Sequence, residues 1–381
     1  MKVRKKIFVF ALVTLALVFT YIAPGAASPF HQVNLVSDGN VGSALAAYTD
    51  PNLINPWGIA SSATSPFWVA NRGTGVSTLY NGSGVPQSLV VTIPAIGGTP
   101  PSSPTGAVFY GGSYFLLSPS SFPARFLFAT ADGTISGWNP GASATSTILK
   151  VDNSGASAVY TGLAYANNGS GDFLYAANFH SGFIDVFDST FAPTTLAGGF
   201  LDPNLPSGYA PYNIHNLGGQ LFVTYALQNA TGTADVSGAG HGFVNVFDTN
   251  GNLIQRLISD GVLNSPWGLA LAPAGFGGFS NAPFLLVANA GDGLINAFDP
   301  ATGALLGTFQ DSGGDLTIAG LRGLIFGNGG NGGDPNLLYF TAGSSDHGLL
   351  GSLAPVPLPG AIWLLGTGLV SLIGLRRKLK S

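Results

Sequence analysis

Arg72 and Arg322 are conspicuous because cations are so scarce around them. Of the thirteen basic residues in this 381-residue chain, Lys2, Arg4, Lys5 and Lys6 lie at the N-terminus, and Arg376, Arg377, Lys378 and Lys380 at the C-terminus. The body between them keeps only Arg72, Arg125, Lys150, Arg256 and Arg322, against seventeen aspartates and no glutamate. A guanidinium without a partner can hold a carboxylate or sulfate through its fork of N–H donors. An ion pair with one of the aspartates is the equal alternative, and the sequence leaves both open. So acidic a body would repel a phosphate backbone, which excludes nucleic acid as a partner.

Other polar residues recur at fixed places. Asn71, Asn178 and Asn289 each follow an apolar run, where an Asn side chain commonly satisfies turn amides. His180, His241 and His347 precede Gly-containing turns, at positions that Asp132 and Asp292 fill elsewhere. Interchange of His with Asp at one repeat position reads as turn geometry, and no metal-ligand spacing is present. "DTNGN" (248–252) superficially suggests a calcium loop, but the chain has no glutamate to close one. There is no cysteine, so disulfides, thiolate nucleophiles and Cys-ligated metals are all excluded. No nucleophile elbow appears either.

The elements that position these residues emerge from self-comparison. "FWVANRGTGVSTLY" (67–80), "FLFATADGTISGWN" (126–139), "FLYAANFHSGFIDVFD" (173–188) and "FLLVANAGDGLINAFD" (284–299) superpose, and two further copies run through 221–248 and 337–353. Each is an apolar strand, a Gly-containing turn and a second strand. Upstream of each lies a shorter strand, anchored on Gly58, Gly106, Gly162, Asn213, Gly268 or Gly323, at intervals of 48, 56, 51, 55 and 55 residues. The near-identical "NPWGIA" and "SPWGLA" are the first and fifth copies of this entry, where Gly is expected to permit a close turn. A fourth strand follows in most units: "SLVVTI", "STILKV", "TTLAGGF", "NLIQRLI" and "ALLGTF". Four strands recurring at about 50 residues indicate a β-propeller. Fifty-six glycines, 25 prolines and charged residues at only 8% agree with an all-β chain rich in turns.

The sixth unit ends without a fourth strand, and "FHQVNLVSDG" (30–39) has no unit of its own. Residues 30–36 are therefore expected to close the ring as the outer strand of the last blade, which removes an open edge. In such a ring, Asn71, Arg72, Asn178, His180, Asn289, Asp292, Arg322, Asp346 and His347 share one face near the axis, joined by Tyr212, His215 and Asn216. Of these, Asn71, Arg72, Asn178, His180, His215, Asn216, Asn289, Asp292, Arg322 and His347 are the candidate ligand-binding set. Trp57 and Trp267 belong to the repeat and read as blade packing rather than as a sugar platform.

Both ends read as addresses. Residues 1–27 carry a basic start, an apolar run from Ile7 to Ala23 and small residues Gly25-Ala26-Ala27 before a cut, as in a secretory signal peptide. The propeller is assigned to 28–353, and 354–381 to a tail with apolar Ala361–Leu375 ahead of a basic cluster. Fifteen residues make a helix of about 22 Å, a short transmembrane span for a core of about 30 Å.

Val356-Pro357-Leu358-Pro359, the apolar stretch with Trp363 and the following Arg376-Arg377-Lys378 resemble the PEP-CTERM sorting tail of Gram-negative bacteria. That resemblance implies an exosortase-type membrane protease as partner, transient anchoring in the inner membrane, and delivery to the cell surface or extracellular matrix. Leu358 stands where the motif usually carries an acid. The Ala-Asn…Gly-x-Ile/Val…Phe-Asp pattern is similar to NHL-type propellers, and the 30–353 region resembles an uncharacterised bacterial family of secreted propellers. The function expected is that of a non-catalytic binding module, with exopolysaccharide or a surface protein as partner and no cofactor. The alternatives are a lactonase-like hydrolase with a central divalent metal, as some six-bladed propellers are, and an architectural matrix protein without a ligand.

Overall fold

The computed structural model of the protein describes residues 28–39, 45–98, 101–117 and 122–356. The signal-peptide region, Pro357, Leu358 and Pro359 of the sorting motif, and the apolar tail with its expected transmembrane helix lie outside them. Among the described residues no helix is long and apolar enough to cross a membrane.

The described chain forms six antiparallel blades around one axis. The innermost strands are Pro56–Ala60, Pro104–Phe109, Tyr160–Asn167, Tyr209–Leu217, Pro266–Ala272 and Leu321–Phe326. Each packs on the next, and the sixth packs on the first. The second strands are Phe67–Asn71, Phe126–Thr130, Asp172–Asn178, Gln220–Leu227, Phe284–Asn289 and Leu338–Gly343. They are apolar on both faces because they sit between two blades. Leu285 and Val287 enter the core shared with the fourth blade, whereas Phe284, Leu286 and Ala288 enter the core shared with the sixth. Six such cores separate successive blades, and a seventh lies on the axis.

The ring closes as the sequence implies. Phe30–Ser37 pairs antiparallel with Gly348–Pro355, His31 opposite Ala354 and Val33 opposite Ser352. The Phe30 ring stacks on Phe309 with centroids 3.8 Å apart, tying the closing strand to the fifth blade as well. Asp38, at the end of that strand, takes the imidazole of His347 at 3.2 Å.

Two details depart from expectation. In the third blade "TTLAGGF" does not run as an outer strand; only Pro193–Thr194 pairs. Gly199 and Phe200 take positive φ (63° and 56°), and Phe200 turns inward against Tyr175 and Phe247, at 5.6 and 5.3 Å. The repeat glycines are also required for a different reason than a turn. A Cβ on Gly58 would stand 2.5 Å from the Thr105 carbonyl oxygen, and one on Gly323 would stand 2.7 Å from that of Trp57. Gly106, Gly162 and Gly268 meet the following blade as closely. The anchors are where each inner strand touches the next. At the fourth, Asn213 replaces Gly and spends its side chain on the contact, donating Nδ2 to the Trp267 carbonyl at 2.8 Å.

Candidate functional site

The inner strands enter the ring beside the loops that join second to third strands, and this mouth is floored by aromatic rings. The Trp57 indole meets Trp267 edge-on at 5.7 Å and Tyr212 edge-on at 6.0 Å, and Tyr212 contacts Phe179 at 5.0 Å. Hydrogen bonds fix the plug. Trp57 Nε1 donates to Asn55 Oδ1 (2.9 Å), and Trp267 Nε1 reaches across the axis to the Thr161 carbonyl (3.0 Å). Below it, the passage lined by Gly58, Gly106, Asn213 and Gly323 has a volume of about 10 Å³, room for one water at most. The tryptophans pack on the axis rather than within a blade, where the repeat had implied them. Both are buried, so neither offers a face to a sugar.

Arg72 and Arg322 lie on this floor. Their guanidinium carbons sit over the Trp57 ring, 4.9 and 4.6 Å from its centroid. Arg72 leaves the end of a second strand and Arg322 enters the sixth inner strand, so adjoining blades bring them to one indole. Neither makes an ion pair among the described residues, where Arg256–Asp202, at 2.6 Å, is the arginine pair present. Arg322 Nη1 donates to the backbone carbonyl of Leu321 at 3.0 Å, and its Nε is buried without a partner. The Arg72 guanidinium is pushed below its usual range by burial and by the charge of Arg322, against the opposing pull of Tyr212, Asp132 and Asp235. The Tyr212 hydroxyl donates to Asp235 Oδ1 at 2.7 Å, which holds that carboxylate on the tyrosine rather than on the arginines. Of the two alternatives left open by the sequence, the ion pair is not formed.

The remaining candidates divide. Asn71, Asn178 and Asn289 are buried and turned to internal partners: Asn71 Nδ2 to Thr78 Oγ1 (2.8 Å), Asn178 Nδ2 to Asp185 Oδ2 (3.0 Å) and Asn289 Nδ2 to the Val262 carbonyl (2.7 Å). Asp292 accepts from the Leu294 amide at 3.1 Å, closing its own turn. His180 is exposed on the rim with Nδ1 3.1 Å from the Thr231 carbonyl oxygen, and His347 is engaged at the ring closure. His215 and Asn216 are not on this face. They follow Tyr212 along the same inner strand, about 10 Å further at 3.3 Å per residue, and open on the opposite mouth.

Sequence reasoning did not single out Phe179, Asp235 or the segment around Asp235. A long connection between Leu227 and Phe243 overhangs the mouth, bonding Gln228 to the carbonyl of Phe179 and Thr231 to His180. Its signal was length: the corresponding connections elsewhere take about four residues, as at Asn71 to Val76. Among the described residues no three His, Cys, Asp or Glu converge as metal ligands would. The floor therefore offers unpaired cationic donors in a partly desolvated setting, which is chemistry for holding an anion.

No family model matches the chain. Among curated proteins, the uncharacterized protein R648 of Acanthamoeba polyphaga mimivirus is 36% identical over 320 residues, 81% of this chain and 76% of that one. Protein L690 of the same virus is 36% identical over 333 residues, 84% of each. Among solved structures, a glucose dehydrogenase superposes over 80% of this chain and 98% of its own, with TM-score 0.50 and 10% identity. Virginiamycin B lyase from Staphylococcus aureus covers 86% and 99%, with TM-score 0.48 and 13% identity. At 10% identity the likeness to the dehydrogenase shows the propeller fold and nothing of its chemistry. The identity and coverage of the viral relatives show more: the chain belongs to the same family as the mimivirus proteins R648 and L690.

Proposed function

We propose that this protein is an exported, non-catalytic propeller of the cell surface or extracellular matrix, and that it binds carboxylate or sulfate groups of an acidic polysaccharide at the floor held by Arg72 and Arg322. The observation that carries this reading is the pair of guanidiniums over Trp57, like charges brought together with no carboxylate between them. Folding costs stability at such a place, and a bound anion offsets that cost. The aromatic plug closes the axis beneath the two arginines, which suits one anionic group of a longer chain. The signal-peptide-like start and the PEP-CTERM-like tail support export, and the tail makes an exosortase-type protease the processing partner.

An array of uronate-bearing, sulfated and neutral glycans tests the binding. Wild type retains the acidic glycans, and Arg72→Ala and Arg322→Ala each weaken retention about ten-fold or more, the loss of one charge-assisted contact. Equal retention of neutral glycans, or no change in either variant, removes the arginines from the site. Fractionation of tagged protein with and without exosortase tests the address separately; an unchanged mass and location would refute it.

A further inference from the structure

The opposite mouth of the ring has a different chemistry. Where the inner strands leave the axis, a pocket of about 390 Å³ opens between five of the six blades. Ala107, Val108, Ala164 and Ile325 give it apolar walls, and the ring of Tyr165 completes them. It is blind: it narrows directly to the one-water passage under the plug, and Ala107 and His215 line both. Its size falls within the range of small-molecule sites, which are concave, mainly apolar and carry a few placed polar groups.

The polar groups here are mostly spoken for. The Tyr165 hydroxyl donates to Asp172 Oδ1 at 2.9 Å, and Asn216 donates Nδ2 to the Tyr165 carbonyl at 3.0 Å while accepting from the Gly219 amide. The exceptions are the Ser61 hydroxyl at the rim and, deeper, the half-buried imidazole of His215, which also lines the passage below; neither makes a hydrogen bond among the described residues. We propose that this blind pocket binds a compact, uncharged and mainly apolar alcohol or phenol, whose hydroxyl bonds the His215 imidazole while its hydrocarbon fills the space between Ala107, Ala164 and Ile325. A neutral imidazole carries one donor and one acceptor nitrogen, and a hydroxyl serves either. Burial pushes the His215 imidazole down to about 4, so it is uncharged at neutral pH. No other ionisable group of the lining is free to meet a charged ligand, which would be desolvated without a partner. The site shares no residue with the arginine floor and stands or falls apart from it.

Thymol and cymene, which differ by one hydroxyl, are suitable probes in calorimetric titration of the full chain. Wild type is expected to bind thymol saturably at one site, and cymene about five-fold more weakly, the worth of one neutral hydrogen bond. His215→Leu brings thymol down to the affinity of cymene and leaves cymene unchanged. Ser61→Trp, at the rim of the pocket, abolishes both, whereas Arg322→Ala on the far mouth changes neither. Circular dichroism establishes that each variant is folded, and His215→Leu decides the outcome if Ser61→Trp is not. Absence of saturable thymol binding to wild type overturns the proposal. So does thymol binding that His215→Leu leaves intact.

Discussion

Among the described residues Arg256 and Arg72 sit in opposite settings, and the difference is measurable. Arg256 reaches Asp202 at 2.6 Å, and the carboxylate, which also accepts from Asn245, is almost fully covered. Arg256→Ala leaves that carboxylate buried and unpaired, at a cost of about 3 kcal/mol in urea unfolding. Arg72 has no such partner, and Arg72→Met keeps an apolar chain against Trp57 while relieving the repulsion from Arg322. Its stability should stay within about 1 kcal/mol of wild type; a loss as large as that of Arg256→Ala would mean the cation serves the fold and not a ligand. His215 supplies a pH dependence. Its imidazole is held down to about 4 from 6.5 by burial. The unfolded chain therefore takes up a proton that the folded chain refuses, and stability falls as pH drops from about 6.5 towards about 4. His215→Gln should lose less stability between neutral pH and about pH 5 than wild type does; equal losses contradict the assignment. The scarcity of cations was visible in the sequence, and it picked out Arg72 and Arg322. That they share one indole was not, because Trp57 and Arg322 start inner strands of the first and last blades, which only ring closure makes neighbours.

Strand-level order was legible for a physical reason: each unit repeats the same burial problem. Second strands had to be apolar on both faces, and the anchors Gly58, Gly106, Gly162, Gly268 and Gly323 had to lack a side chain where blades touch. Spacing located these glycines but could not distinguish a turn from a close approach, since both exclude Cβ. Gly58→Ala forces a methyl against the backbone of Thr105 and Ala107, and is expected to cost about 2 kcal/mol or more. Gly155→Ala meets nothing within 4 Å, and at that site the change should be neutral or slightly stabilising. Thermal melts of the two variants separate the readings; equal effects would contradict the packing role. Matching copies of "PWG" also share a backbone device unseen in their letters, since Asn55 and Ser265 before the prolines both take φ of 47°. The shortened outer strand of the third blade is not legible in the sequence, because its Gly198-Gly199 pair fits a strand pattern as weakly as it fits a turn. The placement of His215 and Asn216 on the opposite mouth has its cause at this scale too. An inner strand of nine residues, Tyr209–Leu217, spans the whole ring, so residues three and four places apart reach opposite mouths.

At the scale of the whole molecule, closure by Phe30–Ser37 is the feature on which the rest depends. The strand brings Phe30, Leu35 and Val36 into buried positions and covers the edge of Gly348–Pro355. Removing the chain through Ser37 should cost about 5 kcal/mol or more, comparable to the whole stability of a domain, and should expose an edge that templates association. Light scattering during purification and the steepness of the urea transition report both; a monomer that unfolds as wild type does would refute this role. Closure was readable because "FHQVNLVSDG" lacks a unit and the sixth unit lacks a strand. The axial plug was not readable, since Trp57, Phe179, Tyr212 and Trp267 meet only once the ring has formed. That plug gives the molecule two unlike mouths, one floored by Arg72 and Arg322 and one where apolar walls surround an uncharged imidazole. The most direct measurement is diffraction from crystals soaked in selenate, whose anomalous signal locates an oxyanion without ambiguity. The account predicts a peak within hydrogen-bond reach of both the Arg72 and Arg322 guanidiniums. An empty floor at that concentration, with selenate bound elsewhere or nowhere, would contradict it.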